Sequence, residues 1–104
     1  RSIDYRDIHG RTALLWACYA GQFNSAQLLL DHGASIDLGD NEMRTPLMWA
    51  ATSSRGLPIV QLLLSRGADP QRRDASGATA LAWAQERGDA SIIAVISHAW
   101  QEAA

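Results

Sequence analysis

The sequence predicts an all-α protein in which helix–loop–helix units stack side by side as a solenoid, and three observations support this prediction. First, similar segments recur along the chain: "TALLWACYAG", "TPLMWAATSS" and "TALAWAQERG" begin 33 and 34 residues apart. Second, each of these segments begins with threonine, which is favoured at the start of a helix. Third, each is followed by a second apolar segment of helical length, namely "SAQLLLDH", "IVQLLLSR" or "SIIAVISHAW". A period of this length is typical of repeat proteins, whose units stack to bury a common core.

Each unit opens with a short polar stretch that predicts a tight turn. The stretches are "DIHGR", "DNEMR" and "DASGA", which begin at Asp7, Asp40 and Asp74. Glycine in the fourth position of the first and third stretches favours a turn with positive φ, which glycine adopts without steric cost. Met43 occupies this position in the second unit.

The two helices of a unit have recognisable starts and ends. The first helix, of about nine residues, is predicted to follow a threonine cap. These caps are Thr12, Thr45 and Thr79. Pro58 and Asp89 are predicted to start the second helix in the second and third units, and Gly33 and Gly67 to end it in the first two. The second unit is one residue longer than the first, and this extra residue is placed in "TSSRGLP".

These units resemble ankyrin repeats, whose pattern is roughly D-x-x-G-x-T-P-L-H-x-A-A-x-x-G followed by I-V-x-L-L-L-x-x-G-A-D. The stretches "DNEMRTPLMWAA" and "IVQLLLSRGAD" match this pattern closely, and the resemblance covers essentially the whole chain. It implies short β-hairpin fingers at one edge of the stack and a concave groove beside them. It also implies that the protein binds a protein or peptide partner.

The repeat boundaries divide the chain into three units and a partial one. Residues 1–6 are interpreted as the tail of a preceding repeat, followed by repeats at 7–39 and 40–73. Residues 74–104 are interpreted as a capping repeat, whose last helix is predicted to run to about Glu102. We therefore expect the C-terminal part of a longer array, whose apolar N-terminal edge is covered by further repeats or used for self-association.

The chain departs from the ankyrin pattern in two places. Leu15, Met48 and Ala82 stand where the pattern has histidine, so the family's hydrogen bond between threonine and histidine is absent. Ser25 stands where the other two units have isoleucine, so weaker packing is expected there, with Phe23 as compensation.

The first helix of each unit is predicted to have two faces, since successive residues are about 100° apart. The face predicted to pack inward carries Leu14, Leu47 and Leu81 with Cys18 and Ala51. Trp16, Trp49 and Trp83 share one motif position on the opposite face, beside Tyr19 and Thr52. The resemblance places this second face in the groove. Two interpretations stay open: the rings seal neighbouring helices, or their edges and indole N–H groups are available to a ligand.

The fingers are the second candidate binding surface. The candidate contact residues are Ile8, His9 and Arg11 in the first finger and Asn41, Glu42 and Arg44 in the second. The third finger has only small side chains and is not a candidate. Arg66, Arg72 and Arg73 form a basic cluster that is interpreted as solvated surface charge, with electrostatic steering of a partner as the alternative.

Composition and motifs argue against several functional classes. The net charge of −2 is unlike that of a nucleic-acid binder, and no apolar run approaches the roughly 20 residues of a membrane helix. No catalytic motif occurs. His9, His32 and His98 are too far apart to hold a metal, and no cofactor is expected. Cys18 is the only cysteine, so no internal disulfide can form and a reducing, cytoplasmic location is predicted.

These observations predict a non-catalytic protein–protein interaction module that binds a protein or peptide through its groove and fingertips. The alternative is a targeting or regulatory segment of a larger enzyme, channel or secreted effector. A nuclear location, or delivery into a host cell, stays open as an alternative to the cytoplasmic location.

Overall fold

The structure, a computed structural model, describes residues 2–103 and contains three pairs of helices in this range. The helices are α1 (Ala13–Ala20), α2 (Phe23–Asp31), α3 (Pro46–Thr52), α4 (Gly56–Ser65), α5 (Ala80–Arg87) and α6 (Ala90–Ala103). The described residues form no β-strand, and a single isolated bridge pairs Arg73 with Thr79. None of the described helices is both long enough and apolar enough to span a bilayer.

The helices stack in two rows. The first helices of the units, α1, α3 and α5, contact one another in order, while α2, α4 and α6 form the second row behind them. Each first helix also packs against the second helix of its own unit. The prediction of an all-α solenoid of helix–loop–helix units is therefore confirmed.

Threonine caps the first helix in all three units, as the sequence predicts. The hydroxyl oxygens of Thr12, Thr45 and Thr79 accept hydrogen bonds from backbone N–H groups three residues on, at 3.2, 3.4 and 3.2 Å. Each bond satisfies one of the donors that the start of a helix leaves without a partner.

The second helices of the second and third units begin in different ways. In the third unit Asp89 accepts hydrogen bonds from the N–H groups of Ser91 and Ile92, as a capping residue does. In the second unit α4 begins at Gly56, so the predicted start at Pro58 is two residues too late. The connection between α3 and α4 contains three residues, 53–55, whereas the other two units have two. The extra residue thus lies within the segment that the sequence indicates.

Apolar side chains from both rows form one core. Its largest fully buried members are Leu14, Leu15, Leu47, Met48, Ile59, Leu63, Ile92 and Ile96. Cys18 and Ala51 are also fully buried, while Leu81 is partly buried against the same cluster. The predicted inward face is therefore correct. Phe23 packs against this core and Ser25 is exposed, which agrees with compensation by Phe23.

Met48 partly replaces the missing family histidine. Its sulfur lies 3.4 Å from the backbone nitrogen of Thr45, which donates to it, while the N–H of Met48 donates to the threonine hydroxyl. The two residues thus form a reciprocal capping box with a thioether as the second acceptor. Leu15 and Ala82 have no acceptor atom with which to do the same.

The fingers are closed turns rather than extended hairpins. In the first, the N–H of Gly10 donates to the carbonyl of Asp7 at 2.9 Å, and the N–H of Asp7 donates to the carbonyl of Arg11 at 3.0 Å. The same two bonds recur in the other fingers. Neighbouring fingers are linked by further bonds, such as that from the N–H of Asn41 to the carbonyl of His9 at 3.0 Å. The fingers are thus rigid, short and attached to one another.

Met43 is the one described residue other than glycine with a positive φ, at 61°. Gly10 and Gly77 hold the equivalent position at 76° and 89°. Since a Cβ in this region costs roughly 1–2 kcal/mol, we expect Met43→Gly to raise the free energy of unfolding by about 0.5–1 kcal/mol. Urea denaturation followed by circular dichroism measures this change. Met43→Ala keeps the Cβ and is the control; an equal gain from alanine would contradict the explanation.

Gly56 lies where the start of α4 meets the end of α3. An added Cβ would overlap the carbonyl oxygen of Ala50 and lie 2.9 Å from its carbon. Because these are backbone atoms, the two helices would have to separate, and we expect Gly56→Ala to lower the free energy of unfolding by about 2–3 kcal/mol. Thermal denaturation tests this. An unchanged stability of Gly56→Ala would show that the connection between α3 and α4 can adjust to the added methyl group at little cost.

Candidate functional site

The aspartate that opens each unit organises the finger that follows it. One carboxylate oxygen, Oδ1, accepts backbone hydrogen bonds from the residues two and four positions later. These bonds measure 2.9–3.0 Å in the fingers of Asp7, Asp40 and Asp74. Aspartate therefore shapes the turn from its side chain, which is a common role of this residue in turns.

The second carboxylate oxygen, Oδ2, connects the finger to the tryptophan of the same unit. The Oδ2 atom of Asp40 accepts a hydrogen bond from the indole N–H of Trp49 at 3.3 Å, and the Oδ2 atom of Asp74 accepts one from the indole N–H of Trp83 at 3.0 Å. These two indole N–H groups are therefore already occupied, and only their ring edges and faces remain for a ligand. Within the described residues Trp16 has no such bond, and its side chain is 47% exposed.

In the first two units an arginine completes the arrangement. The Nε atoms of Arg11 and Arg44 donate to Oδ2 of Asp7 and Asp40 at 3.1 and 2.9 Å. Their guanidinium carbons lie 4.5 and 4.8 Å from the ring centroids of Trp16 and Trp49, a distance typical of cation–π contacts. The two finger arginines and the tryptophans, which the sequence assigned to separate surfaces, thus share one site.

Tyr19 bridges the first two tryptophans. Its ring lies edge-to-face against Trp16 at 6.4 Å and against Trp49 at 5.1 Å between centroids. A cavity of about 400 Å³ opens here, lined by Arg11, Leu15 and these three aromatic residues. Its walls are largely apolar, and the tyrosine is 54% exposed.

A second cavity of about 200 Å³ lies one repeat further along. It is lined by Arg44, Met48, Trp49, Thr52 and Trp83. Trp49 belongs to both cavities, and we refer to the two together as the tryptophan groove. Beside it, the Nη1 atom of Arg87 donates to the carbonyl of Thr52 at 2.7 Å and ties the end of α3 to α5.

The fingertips next to the groove differ in what they expose. Ile8 is 86% exposed, and His9 and Glu42 are exposed as well. Asn41 is exposed but donates its side-chain amide to the carbonyl of Ile8 at 3.1 Å, so it mainly joins the two fingers. Of the predicted finger contacts, Ile8, His9 and Glu42 thus remain free to project.

Comparison with known proteins decides the family. The family described as "Ankyrin repeats (3 copies)" matches residues 2–74 of the chain. The chain belongs to the ankyrin repeat family. The matched range covers the first two units, and the division of the chain into the predicted repeats remains a prediction.

Three relatives illustrate the similarity. The palmitoyltransferase AKR1 of Saccharomyces cerevisiae is 42% identical over 81% of this chain, and the human ankyrin repeat domain-containing protein 63 is 32% identical over 99%. The E3 ubiquitin-protein ligase hecd-1 of Caenorhabditis elegans is 37% identical over 84%. The aligned regions cover 11%, 28% and 3% of these proteins, so this chain spans a small part of each.

Other polar groups of the ankyrin stack have ordinary structural partners. Arg66 pairs with Asp31 at 2.7 Å across neighbouring repeats, and Arg72 lies 3.7 Å from Asp69. The ring of His32 is bonded to the carbonyl of Leu28 at the end of α2. These contacts support the interpretation of the basic cluster as solvated surface charge.

The remaining residues with reactive or metal-binding side chains do not form a cluster. Burial raises the pKa of the Cys18 thiol to about 12, which keeps it protonated and unreactive at neutral pH. His98 is exposed beside Glu102 at 3.3 Å. Among residues 2–103 no group of three or more histidine, cysteine or acidic side chains could hold a metal ion.

Two of the finger aspartates, Asp7 and Asp74, are stabilised in their charged form. Burial alone would raise the pKa of Asp74, but hydrogen bonds from Ser76, the N–H of Ala78 and the indole of Trp83 outweigh it and lower the pKa. The pKa of Asp7 is also lowered, first by the backbone N–H of Arg11. Both carboxylates are therefore ionised at neutral pH.

Sequence reasoning recognised the aspartates only as the start of each unit and missed their bond to tryptophan. The available signal was the spacing Asp-x₃-Arg-x₄-Trp, which occurs at 7/11/16 and again at 40/44/49. In the third unit Ala78 replaces the arginine while aspartate and tryptophan remain. Bonds between residues nine positions apart across a turn are not visible in helical periodicity.

The lowered pKa of Asp74 predicts a loss of stability in acid. Its charged form is favoured by folding, so the stabilisation is complete above the usual aspartate pKa, near 3.9, and is lost as the pH falls through the lower folded-state value. We expect Asp74→Asn to be less stable than the wild type at pH 7, with the difference shrinking as the pH falls below about 4. Urea midpoints measured against pH test this.

The matched control for that experiment is Glu86→Gln, because Glu86 is an exposed acidic residue near the end of α5, the helix that follows the finger of Asp74. It should change the urea midpoint little at either pH. A difference between Asp74→Asn and the wild type that stays constant from neutral to acid pH would contradict a role for the ionised carboxylate.

Proposed function

We propose that this chain is a protein-interaction module that holds a peptide segment of its partner in the tryptophan groove. The observation that carries the proposal is the pair of adjoining cavities that share Trp49 and are lined by aromatic and aliphatic side chains. A coarser role in protein interaction is already indicated by membership of the ankyrin repeat family.

The groove has the physical properties of a binding surface. Trp16 and Tyr19 are about half exposed although each offers a large apolar face and a polar group, the combination common at the centres of interfaces. The arginine contacts on Trp16 and Trp49 and the aspartate bond to Trp49 hold the rings in place before a partner arrives. A preformed surface loses less conformational entropy on binding.

The first two fingertips extend this surface. Ile8 offers an exposed apolar side chain, and His9 and Glu42 offer polar groups that can set orientation. We include these three residues in the proposed interface. The groove provides most of the affinity, because its aromatic area is larger, and the fingertips contribute selectivity.

A second candidate function is a targeting or regulatory role within a larger protein. It is favoured by relatives named as a palmitoyltransferase and an E3 ubiquitin-protein ligase, in which the similar region covers 11% and 3% of the length. In such a protein the repeats would bind the partner or substrate while catalysis lies elsewhere. Deleting residues 2–103 from the full-length protein should then change its location or its choice of substrate and leave its basal activity unchanged.

We also propose a non-catalytic role and a cytoplasmic location for the chain itself. Support comes from the dispersed histidines and from a single, buried, protonated cysteine, which suits a reducing compartment.

The groove is tested with the double variant Trp16→Ala/Tyr19→Ala, which removes two half-exposed rings rather than core residues. Proteins retained by the immobilised domain from a lysate of the source organism are identified, and their affinity is then measured by titration calorimetry. We expect the variant to bind a groove partner about tenfold or more weakly.

Leu28→Ala is the matched control, since Leu28 is 58% exposed on α2, away from the groove. It should leave the affinity unchanged, and circular dichroism should show that both variants stay helical. A partner that binds the double variant normally but no longer binds Leu28→Ala would place the interface on the second row of helices, α2, α4 and α6.

A further inference from the structure

Two successive repeats contain the same three-residue constellation, which we call a clamp. It consists of Asp7, Arg11 and Trp16 in the first repeat, and of Asp40, Arg44 and Trp49 in the second. In each clamp the carboxylate holds Nε of the arginine while the guanidinium lies over the indole. The arginine is thereby fixed on two sides.

The clamps leave one end of each arginine available. Only Nε takes part in the bond to aspartate, and within the described residues the terminal Nη atoms of Arg11 and Arg44 donate no hydrogen bond. The two side chains are 32% and 33% exposed and line the first and second cavities of the groove. Each presents unused N–H donors to any occupant of these cavities.

The charges that line the groove have one sign. Arg11 is the only charged residue that lines the first cavity and Arg44 the only one that lines the second, and neither clamp carboxylate lines either cavity. A fixed, planar guanidinium with free N–H groups recognises carboxylates well, and it needs little further ordering to do so. The groove therefore complements an occupant that carries acidic groups beside apolar ones.

From this geometry we infer that the groove binds an acidic linear peptide, with one carboxylate on Arg11, a second on Arg44, and an apolar or aromatic side chain in the cavity between Trp16 and Trp49. The inference rests on the proposed function and names the chemical class of its partner.

The spacing of the clamps limits the peptide. Neighbouring packed helices lie about 8–10 Å apart, and an extended chain rises about 3.3 Å per residue. Two carboxylates about three residues apart can therefore reach both clamps. A third acidic contact is not expected, because Ala78 replaces the arginine in the third repeat.

Carboxylate fits each clamp better than phosphate. The aspartate already balances the charge of its arginine, so a clamp favours a singly charged group over a doubly charged one. Glu42 and Asp74 border Arg44 on the finger side, in a neighbouring cavity. They disfavour a highly charged ligand on that side and direct the peptide towards the helices.

The test uses a random linear peptide library displayed on phage, selected on the wild-type domain. We expect the enriched peptides to contain pairs of acidic residues about three positions apart with an apolar residue between them. Synthetic copies of these peptides are then titrated against the wild type and the variants. Replacing both acidic residues by their amides should weaken binding about tenfold or more.

Three variants separate the clamps from general electrostatics. The double variant Arg11→Gln/Arg44→Gln should no longer bind the acidic peptides. The double variant Arg66→Gln/Arg72→Gln removes the same charge outside the groove and should bind them with the affinity of the wild type. Arg11→Lys/Arg44→Lys keeps the charge but loses the planar fork, and we expect it to lose most of the affinity. Circular dichroism confirms that each variant is folded.

The outcomes distinguish this inference from the proposed function. Enriched peptides without acidic pairs that are lost by Trp16→Ala/Tyr19→Ala would overturn the clamp inference and leave the groove intact as a binding site. Acidic peptides that bind the glutamine or lysine variants normally would also overturn the clamps. Peptides that bind the tryptophan–tyrosine variant normally, or a library that yields no binder, would count against both proposals.

Discussion

The two oxygens of the aspartate at the start of each repeat connect the parts of this molecule. One oxygen accepts two backbone N–H groups and closes the finger turn. The other accepts a hydrogen bond from an arginine of the same finger, from a tryptophan of the helix that follows, or from both, as Asp40 does with Arg44 and Trp49. Without a carboxylate at this point the finger would lose its shape, and the aromatic ring its orientation. A short acidic side chain is required, because its two acceptors must serve both sides at once.

This constraint explains why the repeats look alike in the core and differ at the groove. Leucine or isoleucine side chains at equivalent places, such as Leu14, Leu47 and Leu81, are buried or partly buried in all three units, because stacked helices tolerate little variation in volume. At the groove each unit keeps aspartate and tryptophan but varies the third partner. Arginine covers the ring in the first two units, whereas Ala78 leaves the ring of Trp83 without it. The core packing is therefore similar in the three units, whereas the groove surface differs between the first two units and the third.

The bonds between repeats give the surface its rigidity. Asn41 joins the first two fingers through its backbone and its side chain, and Arg87 crosses from the third repeat to the carbonyl of Thr52. Each of these contacts spans more than thirty positions in the chain. Such links hold neighbouring units in register, so a partner that spans two cavities meets a fixed spacing. A solenoid with only nearest-neighbour contacts needs such links to act as one surface.

Helical periodicity and local turn chemistry predicted the fold class, the inward face with Leu14 and Leu47, the threonine caps and the place of the extra residue, because each of these depends on residues close together in the chain. Tertiary structure alone decided the composition of the site. Arg11 and Trp16 lie on different elements, and only the folding of the finger onto the helix brings them together. The close approach of Gly56 to α3 likewise became visible only in the folded chain. Contacts between elements depend on their relative placement in space, which no local pattern encodes.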